Sequence, residues 1–133
     1  DALVAITKID DSNHSKAMFI ENELRKHGVT FYLSPFTIGE TSTVLSHKVS
    51  HASAIKFLNE MRALDIQVYE LPESHRLLAD DWFKKQNKKG TSYFDCYNMA
   101  LLDKYRNQLT SVFSFDDVYN KNGFALAQDL VTS

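Results

Sequence analysis

The chain has a single cysteine, Cys96, and this excludes an intramolecular disulfide bond. The scarcity of cysteine fits a reducing compartment, so we expect a cytoplasmic protein. No hydrophobic run approaches the roughly 18 residues of a membrane span, and no signal-peptide pattern opens the chain. The formal net charge of −2 argues against nucleic-acid binding through overall charge. Any contact with a phosphate backbone therefore requires a local basic patch.

The 133 residues suffice for one domain with its own hydrophobic core. A composition of 44% hydrophobic and 24% charged residues is typical of globular proteins, and no repeat, linker or low-complexity segment is present. Asp1 is followed directly by an apolar run, as if the chain opened in the middle of a strand. We therefore expect a few further residues to precede it in the natural protein.

Short apolar runs alternate with segments of helical periodicity. The apolar runs predict strands at 2–6, 29–33, 66–71 and 109–115. The periodic segments predict helices at 15–27, 52–64, 74–87 and 92–105, with a further helix opened by Ser34 as N-cap and Pro35 as its first residue. Strands interleaved with helices indicate a mainly parallel sheet covered on both faces. The sequence therefore predicts a three-layer α/β/α sandwich.

Helical spacing also predicts which side chains of these helices are buried. The first helix is expected to bury one apolar face and to stop at Gly28. The helix at 52–64 is expected to bury a second face. The predicted buried side chains are Ala17, Ile20, Leu24, Ile55, Leu58 and Met61. Cys96 is also expected to point toward the core.

Three carboxylates fall at element junctions. Asp95 lies where a helix begins in SYFDCYNMALLDKY, and Asp116 lies where the β-rich run LTSVFSF ends. Glu40 lies inside the helix that Ser34 opens, in its second turn. In an open α/β sheet, strand ends and helix starts border the same crevice, where ligands usually bind. Close carboxylates repel one another unless a cation or proton intervenes, so their convergence predicts a divalent metal site.

Each acidic residue also has a purely structural interpretation. Ser92 and Asp95 have the spacing of a capping box, and an acidic side chain suits the first turn of a helix. Asp116 alone is a routine turn residue. Thr37 and Glu40 have the same capping spacing, but Ser34-Pro35 is the stronger helix start. The functional interpretation depends on the three carboxylates together.

These segments resemble those of PIN-domain ribonucleases, especially the VapC-type toxins of toxin–antitoxin pairs. The resemblance spans nearly the whole chain. It is carried by ALVAI with IDDSNHSKA, by SPFTIGETSTVL around Glu40, and by SYFDCYNMALL around Asp95. It is completed by VFSFDDVYNKNGF, a strand followed by Asp116 and then by an aromatic residue. Each motif alone is weak, whereas their order and spacing are fairly specific.

The resemblance implies metal-dependent hydrolysis of RNA phosphodiesters with Mg²⁺ or Mn²⁺. It implies that Asp95 and Asp116, with a first Asp of the family, hold the metal, while Glu40 ligates through water or positions the attacking water. Two alignments of the first Asp are open. In the favoured one it lies two residues before Asp1, and Asp1 lines the site; in the other Asp1 is that residue.

Substrate binding requires local positive charge. The run KKQNKKG directly precedes the Asp95 segment and supplies candidate RNA contacts at Lys84, Lys85, Lys88 and Lys89. Alternatively, this run is an ordinary solvated helix end. Tyr93 and Tyr97 are candidates to stack on a base, although core packing is the simpler role for both.

The resemblance further implies a cognate antitoxin protein and a homodimer as partners. The alternatives are a free-standing RNA-processing nuclease and a catalytically inactive PIN-like binding or scaffold module. A phosphoryl-transfer receiver or phosphatase also clusters acids at strand ends, but the chain shows no convincing set of Thr/Ser and Lys partners around a nucleophilic Asp.

Overall fold

The structure is a computed structural model that describes residues 12–132. Within this range the chain is mainly helical. The helices, in chain order, are α1 (His14–Lys26), α2 (Thr37–Lys48), α3 (His51–Leu64), α4 (Leu78–Lys84), α5 (Tyr93–Lys104), α6 (Val118–Lys121) and α7 (Asp129–Thr132), with a 3-10 turn at Glu73–His75. None of these helices is long and apolar enough to cross a membrane.

The predicted α/β/α sandwich is wrong, because no sheet forms within residues 12–132. Within this range the regular elements are helices, and the extended segments form only isolated bridges. The segments predicted as strands contribute two isolated parallel bridges, Leu33 with Val68 and Val112 with Leu126. The Leu33 amide donates to the Gln67 carbonyl at 3.1 Å, and its carbonyl accepts from the Tyr69 amide at 2.9 Å. The predicted first strand at 2–6 lies outside the described residues.

The extended segments contribute to the core through their side chains rather than through ladder hydrogen bonds. Leu33 and Ile66 pack against the cluster between α2 and α3. Phe113 and Phe115 pack around Ile20. Strand propensity largely measures how well a side chain fits a half-buried surface. In the described part of the chain, these apolar runs therefore fill the spaces between helices without pairing beyond one bridge.

Helix α1 agrees with its prediction to within one residue at each end. Ala17, Ile20 and Leu24 are buried, as their spacing predicted. The helix gives way to Gly28, whose φ of 71° is a left-handed conformation that glycine adopts without strain. The Gly28 amide donates to the Arg25 carbonyl at 3.0 Å, which closes the last turn.

Helix α2 begins later than predicted. Its first residue is Thr37, so Ser34 and Pro35 lie in a preceding turn. The Ser34 hydroxyl is 2.8 Å from the Thr37 hydroxyl, and the Thr37 amide donates to the Ser34 carbonyl at 3.3 Å. Because the hydroxyl pairs with a side chain, Ser34 serves a turn instead of a helix cap. Glu40 consequently lies in the first turn of α2, not in its second.

Helix α3 packs in a different phase from the predicted one. Ser50 caps it by accepting from the Ser53 amide at 3.0 Å. Met61 is buried as predicted, but Ile55 and Leu58 are 47% and 36% exposed. The face turned toward α2 instead carries Ala54, Phe57 and Met61, which join Ile38 and Leu45 in one buried cluster.

The C-terminal half packs around α5. The helix predicted at 74–87 is divided into the 3-10 turn and α4, whereas α5 extends from Tyr93 to Lys104, close to its prediction. Cys96 is fully buried, as predicted. It shares a cluster with Met99, Leu102, Tyr119 and Leu126. This cluster fixes the helix face next to Asp95.

Candidate active site

Asp95 lies in the first turn of α5, and its backbone and side chain have separate partners. The backbone amide of Asp95 donates to the Ser92 hydroxyl at 3.4 Å, so the predicted N-cap is present. The carboxylate oxygen Oδ1 of Asp95 accepts from the Tyr119 hydroxyl at 2.8 Å. The backbone interaction fulfils the capping role, while the carboxylate is held in one orientation by a side chain from α6.

Tyr119 is the central buried residue of this arrangement. It is only 1% exposed, and its hydroxyl accepts from Asn98 Nδ2 at 3.0 Å while donating to Asp95. Asn98 lies one turn after Asp95 on the same helix. We define Asn98, Tyr119 and Asp95 as the Asn98–Tyr119–Asp95 relay. The sequence reasoning missed it, although an aromatic residue shortly after Asp116 was noted.

Burial and neighbouring negative charge raise the pKa values of two carboxylates. Burial is the main cause of the raised pKa of Asp95, the charge of Asp116 raises it further, and the Tyr119 hydrogen bond lowers it. Burial also raises the pKa of Glu40, and the charge of Asp95 adds to this. The charge of Asp95 therefore acts on Glu40, and that of Asp116 acts on Asp95, among the predicted site residues within 12–132.

The pKa of the Tyr119 phenol is raised far above its ordinary value by burial and then by the charge of Asp95. Tyr119 consequently remains protonated and acts as a hydrogen-bond donor toward Asp95 at any ordinary pH. The pKa of the Cys96 thiol is also raised, first by burial and then by Asp95. Cys96 is thus an inert core residue rather than a nucleophile.

Asp116 closes a turn, as its structural interpretation predicted. Its backbone amide donates to the Ser114 hydroxyl at 3.1 Å, and its Oδ1 accepts from the Val118 amide at 3.0 Å. Asp116 is exposed. Its turn orders the start of α6, the helix that carries Tyr119.

The predicted lysine run begins in the last turn of α4 and continues into the following loop. Lys85 Nζ lies 4.3 Å from the centre of the Trp82 ring, a cation–π contact. The pKa of Asp117 is lowered mainly by its hydrogen bond to Lys121, and the charge of Lys88 also contributes. Lys88 therefore lies near Asp117, the residue that follows Asp116.

An open groove of about 580 Å³ is lined in part by Glu40. One wall comes from the start of α2 and the turn before it, and the other comes from the start of α5. The residues lining it are Pro35, Phe36, Gly39, Glu40, Thr43, Val44 and Phe94. We call this the Phe94 groove.

A divalent ion fits the donor chemistry of this region, although a complete ligand set is not present within residues 12–132. No three His, Cys, Asp or Glu side chains of that range are grouped closely enough to hold a metal by themselves. Asp1 and any earlier Asp lie outside the described residues. Mg²⁺ usually binds through one or two carboxylates, with waters and substrate phosphate oxygens as its other ligands.

No protein-family model matches the chain, and no curated protein matches it. Among solved structures, the crystal structure of Mycobacterium tuberculosis VapC20, a toxin that cleaves the sarcin–ricin loop, superposes with a TM-score of 0.75. The match covers 93% of this chain and 92% of VapC20 at 19% sequence identity. The chain has a VapC-like fold. The resemblance predicted from the motifs is thus confirmed at the level of the fold.

Proposed function

We propose that this protein is a metal-dependent endoribonuclease that acts as the toxin of a toxin–antitoxin pair. The observation that carries the proposal is the position of Asp95 on a VapC-like fold. Its carboxylate is half-buried, is oriented by Tyr119 and interacts with the negative charges of Glu40 and Asp116. Burying mutually repelling charges costs stability, which functional sites commonly tolerate.

In this proposal Asp95 and Asp116 hold the ion, and Glu40 positions the attacking water or binds the ion through water. A bound Mg²⁺ or Mn²⁺ supplies an activated water and neutralises charge that develops on the phosphate. The protein supplies the geometry. Tyr119 fixes the Asp95 carboxylate, and the Asp116 turn holds the start of α6 beside it. Asp1, or an Asp two residues before it, is proposed to complete the set.

The test is cleavage of an RNA panel by the full chain in Mg²⁺, in Mn²⁺ and in EDTA. The panel includes a sarcin–ricin loop hairpin, because VapC20 cleaves that loop. We expect cleavage in at least one metal and none in EDTA. Asp116→Asn is the site variant and Asp103→Asn is its control, since Asp103, near the end of α5, forms a surface ion pair with Arg106 beyond the helix. Cleavage that persists in EDTA would contradict the proposal.

Loss of the basic loop is expected to weaken RNA binding. We expect Lys88→Ala combined with Lys89→Ala to lower kcat/KM several-fold, because each lysine steers phosphate toward the acidic edge. The slope of log kcat/KM against log salt should fall by about 0.7 for each single-strand phosphate that the variant no longer neutralises. The control pair is Lys26→Ala with Lys56→Ala, two lysines held in exposed ion pairs on α1 and α3. An unchanged salt slope would remove the loop from the RNA interface. Lys84 and Lys85 are tested in the same way.

The proposed partners are an antitoxin and a second copy of the chain. Ile55 and Leu58 of α3 expose apolar surface that could contact either of these partners. The second candidate function is an inactive PIN-like binding module, for which the full chain is expected to bind no metal. Metal binding by the full chain, measured by calorimetry, distinguishes the two functions.

A further inference from the structure

The Phe94 groove has a floor and walls that are mostly apolar, with one charged side chain, Glu40, among its described lining residues. Phe94 is 40% exposed at the start of α5, directly before Asp95. Several large hydrophobic side chains of residues 12–132 are exposed, and Phe94 is the one among them that lines this groove.

The aromatic wall is held firmly in place. The Phe36 and Phe94 ring centroids are 5.1 Å apart with an interplanar angle of 51°. Phe36 also meets Tyr97 edge-on at 4.9 Å, and the Tyr97 hydroxyl accepts from the Leu71 amide at 2.9 Å. Tyr97 therefore supports the wall from behind. Tyr93 donates its hydroxyl to Asp80. Phe94 is thus the ring best placed to receive a flat ligand, ahead of the two tyrosines considered from the sequence.

The opposite wall leaves room for such a ligand. Gly39 lines the groove on α2, and a Cβ atom built there meets no heavy atom within 4 Å. Glycine inside a helix costs stability relative to alanine. An alanine at position 39 would fit and would stabilise the helix, so helix stability does not account for the glycine.

The charge of the groove selects the kind of occupant. Glu40 repels phosphate, and within residues 12–132 no cationic side chain lines the groove to compensate it. A neutral, planar group with polar hydrogens at its edge fits both the ring of Phe94 and the carboxylate of Glu40. Unpaired nucleobases have this chemistry, and proteins commonly bind them by stacking on aromatic side chains.

We propose that the Phe94 groove is a nucleobase subsite, in which an unpaired base of the RNA stacks on Phe94 next to the scissile phosphate. This inference rests on the proposed ribonuclease function, which supplies the RNA. Because Glu40 itself lines the groove together with Phe94, a nucleotide whose phosphate lies at the acidic residues can place its base against Phe94. The subsite selects RNA loops and ends over paired helices, and it binds purines more tightly than pyrimidines because their ring area is larger.

The experiment uses adenosine and uridine as probes, without metal, so that it does not depend on cleavage. Binding to the full chain is followed by amide chemical-shift changes in NMR titrations. We expect millimolar binding, tighter for adenosine, with the largest shifts at Gly39 and Phe94. Phe94→Leu keeps apolar bulk but removes the aromatic face, and it should weaken adenosine binding about tenfold. Gly39→Leu should fill the groove and abolish binding, whereas Gly39→Ala should leave the protein folded and slightly more stable.

The matched control is Phe83→Leu. Phe83 is 42% exposed and tilted against Tyr93 with ring centroids 5.8 Å apart, but it does not line the groove. Its variant should bind adenosine like the wild type. Equal adenosine binding in all variants would overturn the proposal. Full adenosine affinity in Phe94→Leu would also overturn it, because it would indicate an apolar contact without stacking. A fall in apparent affinity as protein concentration rises would show that a second copy covers the groove, and this too would overturn it.

The experiments distinguish failure of the proposed subsite from failure of the proposed nuclease activity. RNA cleavage by a protein that binds no nucleoside leaves the proposed function standing and removes the subsite. Adenosine binding that depends on Phe94, in a protein that cleaves no RNA, supports the subsite and removes the nuclease. For any RNA that the wild type cleaves, Phe94→Leu should raise KM more than it lowers kcat, because the stacked base contributes mainly to binding.

Discussion

Replacement of Asp95 by asparagine is expected to lower metal-dependent RNA cleavage by at least two orders of magnitude while making the metal-free protein more stable. The amide keeps the shape of the side chain and can still accept from the Tyr119 hydroxyl. It removes the charge that attracts the ion, and electrostatic contacts of this kind are often worth ~10²-fold or more in rate. Cleavage rates of the wild type and Asp95→Asn under saturating Mg²⁺ provide the measurement.

The stability gain follows from the sign of the pKa shift. Burial, reinforced by the charge of Asp116, raises the pKa of Asp95 in the fold, so the ionised carboxyl is disfavoured there relative to the unfolded chain. This residue therefore supports the fold below its unfolded pKa of about 3.9, and that support is lost as pH rises through the higher folded value. Solvent screens part of the effect because Asp95 is only half-buried.

At pH 7 without metal we expect Asp95→Asn to raise Tm by roughly 2–4 °C. The difference in Tm between the wild type and Asp95→Asn should vanish near pH 3, where the Asp95 carboxyl is protonated and therefore as neutral as the asparagine. Asp103→Asn serves as the surface control on the same helix. A variant that loses activity and also loses stability at pH 7 would indicate a structural role for Asp95 and contradict its assignment as a metal ligand.

Removal of the Tyr119 hydroxyl is expected to weaken metal binding about tenfold, with little change in the fold. Tyr119→Phe keeps the buried ring in its cluster with Cys96 and Met99 but ends the hydrogen bond to Asp95. Groups that orient a metal ligand commonly contribute ~10–100-fold in affinity or activity. Calorimetric titration of Mn²⁺ into the full chain measures the effect directly, and kcat should fall more than KM rises.

Tyr105→Phe is the matched control for this prediction. The Tyr105 hydroxyl donates to the Glu70 carbonyl at 2.9 Å, so its loss also removes one hydrogen bond from a tyrosine of the same fold. Each variant should lose about 1 kcal/mol of folding stability. Only Tyr119→Phe should lose Mn²⁺ affinity. Equal affinity in both variants would show that Tyr119 acts through packing alone.

The sequence predicted the helices best where only one apolar face and one clear cap or stop residue were present. Helix α1 has one apolar face and a glycine stop, and α5 has the Ser92 cap, so both were found almost to the residue. In α3 two apolar stripes have helical spacing, one with Ile55 and Leu58 and one with Ala54 and Phe57. The choice between them depends on where α2 packs, which is tertiary information.

The predicted sheet failed for a related reason. An apolar, β-branched run indicates an extended segment, but pairing is decided by distant partners that periodicity does not reveal. In the described part of this protein the runs around Leu33 and Val112 pair at one residue each. The start of α2 failed for a local reason, since the hydroxyl of Ser34 reaches that of Thr37 instead of a helix amide.

The sequence points to the acids of the candidate site but not to their support. Glu40, Asp95 and Asp116 stand out because carboxylates at element junctions form a recognisable pattern, and their joint role as metal ligands stays a prediction. Tyr119 is 24 positions from Asp95. A hydrogen bond over that separation leaves no sequence pattern, so a buried tyrosine is indistinguishable from an ordinary core residue.

Glu40 and Asp95 belong to parts of the molecule with different cores. Glu40 lies on α2, whose cluster with α3 contains Ile38, Leu45 and Phe57, whereas Asp95 begins α5, whose cluster includes Tyr119. The contacts of Phe36 with Phe94 and Tyr97 join these two clusters beside the acidic residues. Substitutions inside the α2–α3 pair are therefore expected to change the position of Glu40 relative to Asp95 through this aromatic contact.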